Sequence, residues 1–504
     1  MVKRSGGALL LSLHIDRESG RLVTTQVFTA IREMILSGGL NAGERLPASR
    51  TLAKDLGISR TTVIEVFERL AAEGLIESRT GAGTFVSDAL RENRPAAASP
   101  PTDAAQQPLS KPRLSRTIAR ASEMFNERLP HKPRAFTTAM PAFDAFPLAL
   151  WSRQMSKHWR DQRNIVMGYS DPHGYGPLRR AVASHLRANR GIACEPEQIF
   201  IVGGAQQAFY LIGSLLLDLN DKVWFENPGA IGARNSLVAC GANLIPMPVD
   251  DHGLMVEEGL RLAPDFRLAF VTPAHQQPLG STMSLERRFA LLKAADKAEA
   301  LIIEDDYDGE FCYGGHPQPT LKSVDATGRV IYVGTFSKTL FPALRLGYFV
   351  SPPALVDVFN QVSNAFLQGV PSANQAVVAS FMEEGHFAAH IRRMRKIYAE
   401  RHQVLCDAAR EHLSGLLEIV PTDTGLHTIG LLPDDLRENE AAAAAGQKGI
   451  TVTPIERFSI APTQRNGLVL GFSGIKPPDI VAGVTTLASA LEGVHPNAGT
   501  GRVV

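Results

Sequence analysis

The chain has 504 residues, 44% of them hydrophobic, a length that exceeds one ordinary core and calls for two or more domains. With 52 Lys and Arg against 51 Asp and Glu the formal charge is +1, which argues neither for nor against nucleic acid and makes any basic surface a local one. No apolar run is long enough to span a membrane, and Cys194, Cys240, Cys312 and Cys406 lie far apart with no CxxC pair, which excludes a zinc knuckle and fits reduced, packed thiols.

The first residues, Met1-Val2-Lys3-Arg4-Ser5, lack a clean signal-peptide core and cleavage site despite Leu9-Leu10-Leu11, so a cytoplasmic protein is expected. From about Leu22 to Val86 the pattern is three short helices and a hairpin. Val27, Ile31, Met34 and Ile35 share one face of a first helix that stops at Gly38-Gly39. Ser49 is placed to cap a second helix closed by Gly57, and Ser59 a third whose Val63, Val66, Phe67 and Leu70 face inward. Gly74 ends that helix; Ile76-Glu77-Ser78-Arg79 and Thr84-Phe85-Val86 then flank a glycine turn as a β-wing. Arg60, Thr61 and Thr62 stand at the start of the third helix, with Arg50 in the second. Arginines, hydroxyls and a helix N-terminus suit phosphates and major-groove base edges. On residue chemistry alone a three-helix packing module stays open beside a DNA reader. Gly81-Ala82-Gly83 begins like a dinucleotide fingerprint, but Val86 stands where its last glycine belongs, which excludes that reading.

Three segments, Ala42-Gly43-Glu44-Arg45-Leu46-Pro47-Ala48-Ser49-Arg50, Gly57-Ile58-Ser59-Arg60-Thr61-Thr62-Val63 and Gly81-Ala82-Gly83-Thr84-Phe85, together resemble the GntR-family winged helix. The resemblance puts Arg50, Ser59, Arg60, Thr61, Thr62 and the wing residue Gly81 at DNA-contact positions.

From Ala89 to about Ser115 the composition turns to Pro, Ala, Ser and Gln, too polar to fold and kept extended by its prolines, hence a linker. Beyond it, apolar strands alternate with helical stretches, as a mainly parallel α/β sheet requires. Ile199-Phe200-Ile201-Val202 runs into Gly203-Gly204-Ala205-Gln206, and Val223-Trp224-Phe225 into Glu226-Asn227-Pro228-Gly229. Leu268-Ala269-Phe270-Val271 runs into Thr272-Pro273-Ala274-His275-Gln276-Gln277-Pro278, and Leu301-Ile302-Ile303 into Glu304-Asp305-Asp306-Tyr307. Polar groups thus gather at strand ends, where open α/β sheets bind ligands. From about Phe381 the chain is helical, and then Ile450-Thr451-Val452 and Leu468-Val469-Leu470-Gly471-Phe472 read as strands of a smaller C-terminal subdomain. His386 and His390 share a helix at zincin spacing, but Phe387 replaces the glutamate and a helix surface is expected. The residues from Pro496 read as disordered.

Val330-Ile331-Tyr332-Val333 is followed by Gly334-Thr335-Phe336-Ser337-Lys338 and, seven positions after the lysine, Arg345. A lysine partly withdrawn from water beside an arginine loses its proton more readily and can serve as the amine of a Schiff base. Thr335, Ser337 and Arg345 suit a phosphate, as do the free N–H groups where Gly204, Ala205 and Gln206 open a helix. An isolated lysine is otherwise a surface charge, but Ser337-Lys338 in this setting resembles the pyridoxal-phosphate lysine of fold-type I aminotransferases.

A GntR-type winged helix followed by such a domain resembles the MocR subfamily of bacterial transcription regulators, from about Leu22 to Leu491 with the linker excepted. The resemblance implies an N-terminal winged helix-turn-helix joined to a large α/β aminotransferase-like domain of fold-type I. The segments are then 15–88 for DNA binding, 89–118 for the linker, 119–494 for the cofactor domain and 495–504 for a disordered tail. It implies pyridoxal phosphate on Lys338, Asp305 at the pyridine nitrogen and Tyr307 at the phenolic oxygen; on their position alone Asp306 and Asp308 are left open to face solvent instead. It gives the phosphate to Thr335 and Arg345, beside which the residues themselves offer Ser337 and the Gly204, Ala205, Gln206 helix start. Tyr169 matches a tyrosine that reaches a phosphate in the partner subunit, a packing aromatic being its other reading. Three positions depart from the aminotransferase pattern. Ala230 replaces a ring-stacking tyrosine, Gln277 an asparagine whose amide it can supply, and Val469 the arginine that clamps a substrate carboxylate. The expected protein is a homodimeric, head-to-tail regulator of operator DNA that senses pyridoxal phosphate or a small amine or amino compound, with little or no turnover. The alternative is an active aminotransferase with an appended DNA-binding module.

Overall fold

The structure is a computed structural model and describes residues 10, 13, 15–90, 115–122, 125, 133–314 and 319–494. The chain divides into two units, Met1–Pro112 and Arg113–Val504. Most of the expected linker and all of the expected tail at 495–504 lie outside the described residues, and residues 116–118 begin the helix Arg116–Ser122.

In the first unit α1 (Val23–Ser37) buries Val27, Phe28, Ile31 and Ile35 and ends at Gly38, whose φ of 85° only glycine adopts without strain. α2 (Ser49–Leu56) ends at Gly57 in the same left-handed way. Ser49 is its first residue rather than its cap; the cap position is Ala48, with no side-chain bond, so α2 leans on packing of Leu52 and Ala53. α3 (Arg60–Ala72) is capped as expected, Ser59 Oγ accepting from Thr62 N at 3.1 Å, and it buries Val63, Val66 and Leu70 while Phe67 is half-buried. β1 (Ile76–Arg79) and β2 (Gly83–Val86) pair antiparallel from Ile76↔Val86 to Arg79↔Gly83, forming the wing.

The second unit is built on an eight-stranded sheet. In chain order its strands are β3 (Ile199–Val202), β4 (Lys222–Asn227), β5 (Asn243–Asp250), β6 (Gly253–Leu254), β7 (Leu268–Val271), β8 (Leu301–Asp306), β9 (Val330–Thr335) and β10 (Gly347–Val350). They lie in the order β3-β10-β9-β8-β7-β4-β5-β6, with β10 antiparallel to both neighbours and β6 antiparallel to β5. Alternate side chains enter different cores: Val223, Phe225, Ile303, Ile331 and Val333 pack on one face, and Trp224, Ala269, Ile302 and Val330 on the other. Burial on both faces is why these strands read as continuous apolar runs.

A second sheet, β11 (Glu418–Ile419), β12 (His427–Leu431), β13 (Thr453–Pro454) and β14 (Gly467–Gly471), is antiparallel in the order β11-β12-β14-β13. Ile450–Val452 is not a strand as expected, because the Thr451 N–H is taken by the Ala135 carbonyl at 3.1 Å; pairing begins at Thr453. β14 starts one residue earlier than expected. No described helix is long and apolar enough to cross a membrane.

Candidate functional site

In the first unit Arg50, Ser59, Arg60, Thr61 and Gly81 are exposed and Thr62 is half-buried. The hydroxyls are already ordered: Ser59 Oγ lies 2.8 Å from both Thr61 Oγ1 and Thr62 Oγ1. Arg60 Nε is 3.5 Å from Ser49 Oγ, so α2 steadies the arginine at the head of α3. Gly81 sits at the wing tip with φ 76°. Arg79 is different in kind, since Glu77 and Asp88 pair with its guanidinium.

In the second unit the sheet brings the expected residues to the carboxyl ends of its parallel strands. Register places Thr335 opposite Gly347, and Gly347 opposite Val202, so the turn after β3 and the turn after β9 are neighbours. Gly347 allows this closeness: a Cβ there would stand 3.1 Å from Gly204 Cα and 3.2 Å from Ala205 N. Helix Ala205–Leu216 starts at that point, and a Cβ on Gly204 would lie 3.7 to 3.8 Å from the Arg345 guanidinium. Arg345 and a twelve-residue helix's free N–H groups therefore converge, an arrangement that takes an anion. Thr335 Oγ1 accepts from Ser337 N at 3.1 Å and caps the turn Phe336–Thr339 that carries Lys338. Gln206 departs from expectation in its side chain, which packs toward Gly232: a Cβ there would meet its Nε2 at 2.7 Å. Only its backbone is left for the anion.

Lys338 lines a small cavity with Thr138, Ala139, Gln277, Tyr307, His427 and Val469, and its Nζ donates to the Ala139 carbonyl at 3.3 Å. Asp305 is 5% exposed, and its Oδ1 has no hydrogen-bond partner among the described residues. Burial, then the charges of Asp306, Asp308 and Glu226, push its carboxyl well above the usual range. That is an acceptor waiting for a donor. Asp306 and Asp308 do not face solvent as expected. Asp306 is held by the Arg190 guanidinium, by Tyr332 Oη at 2.6 Å and by Gly309 N at 3.1 Å, and Asp308 lies 3.0 Å from His275 Nδ1. Tyr307, 9% exposed, has its hydroxyl 3.0 Å from the same His275 nitrogen. Glu226, wholly buried at the end of β4, accepts from Thr272 N and Oγ1 and from Gln276 Nε2; burial lifts its carboxyl to about 7.

Of the three departures, Gln277 lines the cavity, and the other two are visible in place. Val469 is 1% exposed on β14 and forms part of the cavity wall. Ala230 is buried at the start of helix Ile231–Ala239, and Arg234 in that helix donates to the Ser459 carbonyl at 3.0 Å. Tyr169 is not in its own chain's cavity; it is 96% exposed.

Four buried histidine and carboxylate positions were given no site role by the sequence: His275, left unread, Asp308, expected to face solvent, His427, also left unread, and His390. His390, expected on a helix surface, is 5% exposed and its Nε2 lies 3.0 Å from the Thr339 carbonyl, bracing the turn that bears Lys338. Their signal was position alone, the first two in strand-end loops with the other site residues.

Residues 23–86 match the family described as bacterial regulatory proteins, gntR family, and residues 144–467 match aminotransferase class I and II. Over 478 residues, 95% of each chain, this protein is 39% identical to the probable rhizopine catabolism regulatory protein MocR of Rhizobium meliloti. It is 32% identical to the HTH-type transcriptional regulator TauR of Rhodobacter capsulatus, over 92% of this chain and 95% of that one. Among solved structures it resembles the α-aminoadipate aminotransferase LysN of Thermus thermophilus, complexed with N-(5'-phosphopyridoxyl)-L-leucine. There the TM-score is 0.66 and the identity 25%, covering 75% of this chain and 95% of that one. A winged helix of one family and a cofactor-type domain of the other, in one chain that runs the length of such regulators, decide the assignment: the chain belongs to the MocR subfamily of GntR-type bacterial transcription regulators.

Proposed function

We propose that the second unit binds pyridoxal phosphate at Lys338 and works as a sensor of a small amine or amino compound, passing its state to the DNA-binding unit of a cytoplasmic homodimer. The residues fit that group. The unpaired buried oxygen of Asp305 suits a protonated ring nitrogen, and Arg345 with the Gly204, Ala205, Gln206 helix start and the Thr335–Ser337 turn suits a phosphate. Bound pyridoxal phosphate supplies an aldehyde that condenses with primary amines and a ring that draws electron density. The chain's own residues then do the rest. Asp305 holds the ring proton, Tyr307 and Gln277 orient the ring's phenolic edge, and Arg345 fixes the register of the whole group. On the DNA side Arg50, Arg60, Thr61, Thr62 and the Gly81 wing tip meet an operator, with Ser59 ordering the two threonines.

A homodimer is supported by the apolar surface around Tyr169. Met167 is 73% exposed, Tyr169 96% and Phe366 80%, and the turn after Phe366 packs on Ser170 and Asp171, where a Cβ on Gly369 would meet the Asp171 carbonyl at 2.7 Å. Large apolar side chains left this exposed on neighbouring segments suit an association surface.

The observation that carries sensing over turnover is Val469. Repeated transamination needs a substrate carboxylate clamped so that one C–H bond stays aligned with the ring. An isopropyl group in the cavity wall offers no such clamp. Retention of Lys338, Asp305 and Tyr307 favours the second reading, an active aminotransferase with an appended DNA-binding module. One experiment separates them: a panel of amines, amino acids and 2-oxo acids is scored for changes in visible absorption, operator affinity and product. Ligands that change absorption and operator affinity without product support the sensor; sustained turnover at about 1 per second or faster establishes the enzyme.

A further inference from the structure

Behind Tyr307 lies a buried cluster that the roles above leave unused. His275 and Asp308 are each 1% exposed and His427 is 4% exposed, and they come from the loop after β7, the loop after β8 and the start of β12. His275 Nδ1 is 3.0 Å from Asp308 Oδ2 and 3.0 Å from Tyr307 Oη. Gly425, with φ 81°, closes over them. A Cβ there would fall 2.3 Å from His275 Nδ1 and 2.8 Å from Asp308 Oδ2, so a side chain at 425 would break the contact. His427 completes the wall: its Nε2 lies 3.1 Å from the Pro278 carbonyl, and its ring lies parallel to that of Tyr307, 16° between planes and 6.5 Å between centres.

One nitrogen faces two oxygens, and counting protons decides how. His275 Nε2 has no partner among the described residues, so a proton there would be a buried donor with nothing to accept it. The proton therefore belongs on Nδ1. There it meets the Asp308 carboxylate, with the Tyr307 oxygen at equal distance as a second acceptor. A Tyr307 hydroxyl that accepts from His275 keeps its own proton free for another direction. It also keeps that proton, since burial, then Asp308, Asp305 and Glu226, hold its phenol well above the usual range. Asp306, Lys338, His427 and Tyr313, on which the Asp308 charge acts, also bear on the cluster, and burial holds His427 neutral, down to about 3.

We propose that His275 and Asp308 are positioning residues for Tyr307: Asp308 holds the imidazole with its proton on Nδ1, and that N–H occupies the Tyr307 oxygen. The hydroxyl proton is thereby aimed into the Lys338 cavity, at the phenolic oxygen of the bound cofactor. The inference rests on the cofactor reading, and the test separates the two. A donor at the phenolic oxygen stabilises its anionic form, so removing it raises the pH midpoint of the cofactor's visible band, by about one pH unit for one hydrogen bond.

The measurement is that midpoint in wild type and variants, with thermal unfolding recorded alongside. Tyr307→Phe, Asp308→Asn and His275→Leu each raise it, and Tyr307→Phe combined with Asp308→Asn raises it no further than Tyr307→Phe alone. His275→Asn, which restores an N–H near the Nδ1 position, stays near wild type and gives the same reading should Asp308→Asn fail to fold. Fully additive shifts in the double variant, or equal shifts in His275→Leu and His275→Asn, overturn the relay while leaving the cofactor site intact. One divalent metal per purified chain, lost in Asp308→Asn, overturns it in favour of a His275, Asp308, His427 metal site. A wild-type protein with no visible band removes the cofactor reading and the relay together.

Discussion

In the N-terminal unit the side chains proposed to meet DNA lie close in sequence, from Arg50 to Gly81, and are mostly exposed; in the C-terminal unit those proposed to hold the cofactor come from the ends of several strands and are mostly buried. The difference teaches what each surface has to do. A DNA reader meets a large, charged, hydrated partner from outside, so its arginines and hydroxyls stay exposed on helices whose other face holds the fold. A cofactor site excludes water to make each polar contact count, and Asp305, Asp306 and Asp308 are accordingly buried in the core. Substitutions in the first unit are therefore expected to separate function from stability, and those in the second to mix them.

The largest expected effect is at Lys338, which is only half-buried and so is the place where the second unit behaves like the first. Lys338→Ala should remove the visible band of the bound cofactor completely while far-ultraviolet dichroism stays that of wild type; a band in the variant that borohydride still reduces would remove Lys338 from its role. Next is the buried ion pair. Asp306→Ala leaves Arg190 without its carboxylate in a site where both partners are under 10% exposed, and chemical denaturation should report a loss of about 3–5 kcal/mol. An unchanged midpoint would show that water reaches Arg190 and that the core reading of this site is wrong.

His390 sharpens the same contrast through pH. Burial, then the Arg393 charge, lowers its pKa from 6.5 to about 4, so in the folded protein it stays neutral across a window where the unfolded chain takes up a proton. Stability from this group is complete above pH 6.5 and is lost as pH falls toward 4, by an amount on the order of 3 kcal/mol. His390→Gln should flatten that part of the stability profile, and an identical slope in the variant would place the acid sensitivity elsewhere. The smallest effect on the fold belongs to the first unit. Arg60→Ala and Arg50→Ala should weaken operator binding by about 1–3 kcal/mol if each reads a base edge, with no change in unfolding midpoint. Loss on every sequence with a flatter salt dependence would make them phosphate contacts instead. Wild-type affinity in both would break the comparison itself.

Legibility follows the same division. Ser59, Gly38, Gly57 and Gly81 announce the winged helix because caps and left-handed turns are local requirements, set by residues a few positions away. Ser49 misled for the same reason: a good cap residue does not cap where Ala48 holds that place. The lysine stretch was legible because strand, capped turn and amine are contiguous from Val330 to Lys338.

By itself the sequence determined the order of units, the elements of the winged helix, the parallel sheet, and the residues placed at its strand ends, since each is written in periodicity, capping or a contiguous motif. Only the tertiary structure decided that Asp306 is locked to Arg190 while Asp305 is left with an unpaired oxygen, that His390 braces the Lys338 turn, and that His275 and Asp308 stand behind Tyr307. These are choices among chemically equivalent side chains. They are made by which carboxylate or imidazole a distant segment reaches when the strands align, and no local pattern carries that distance.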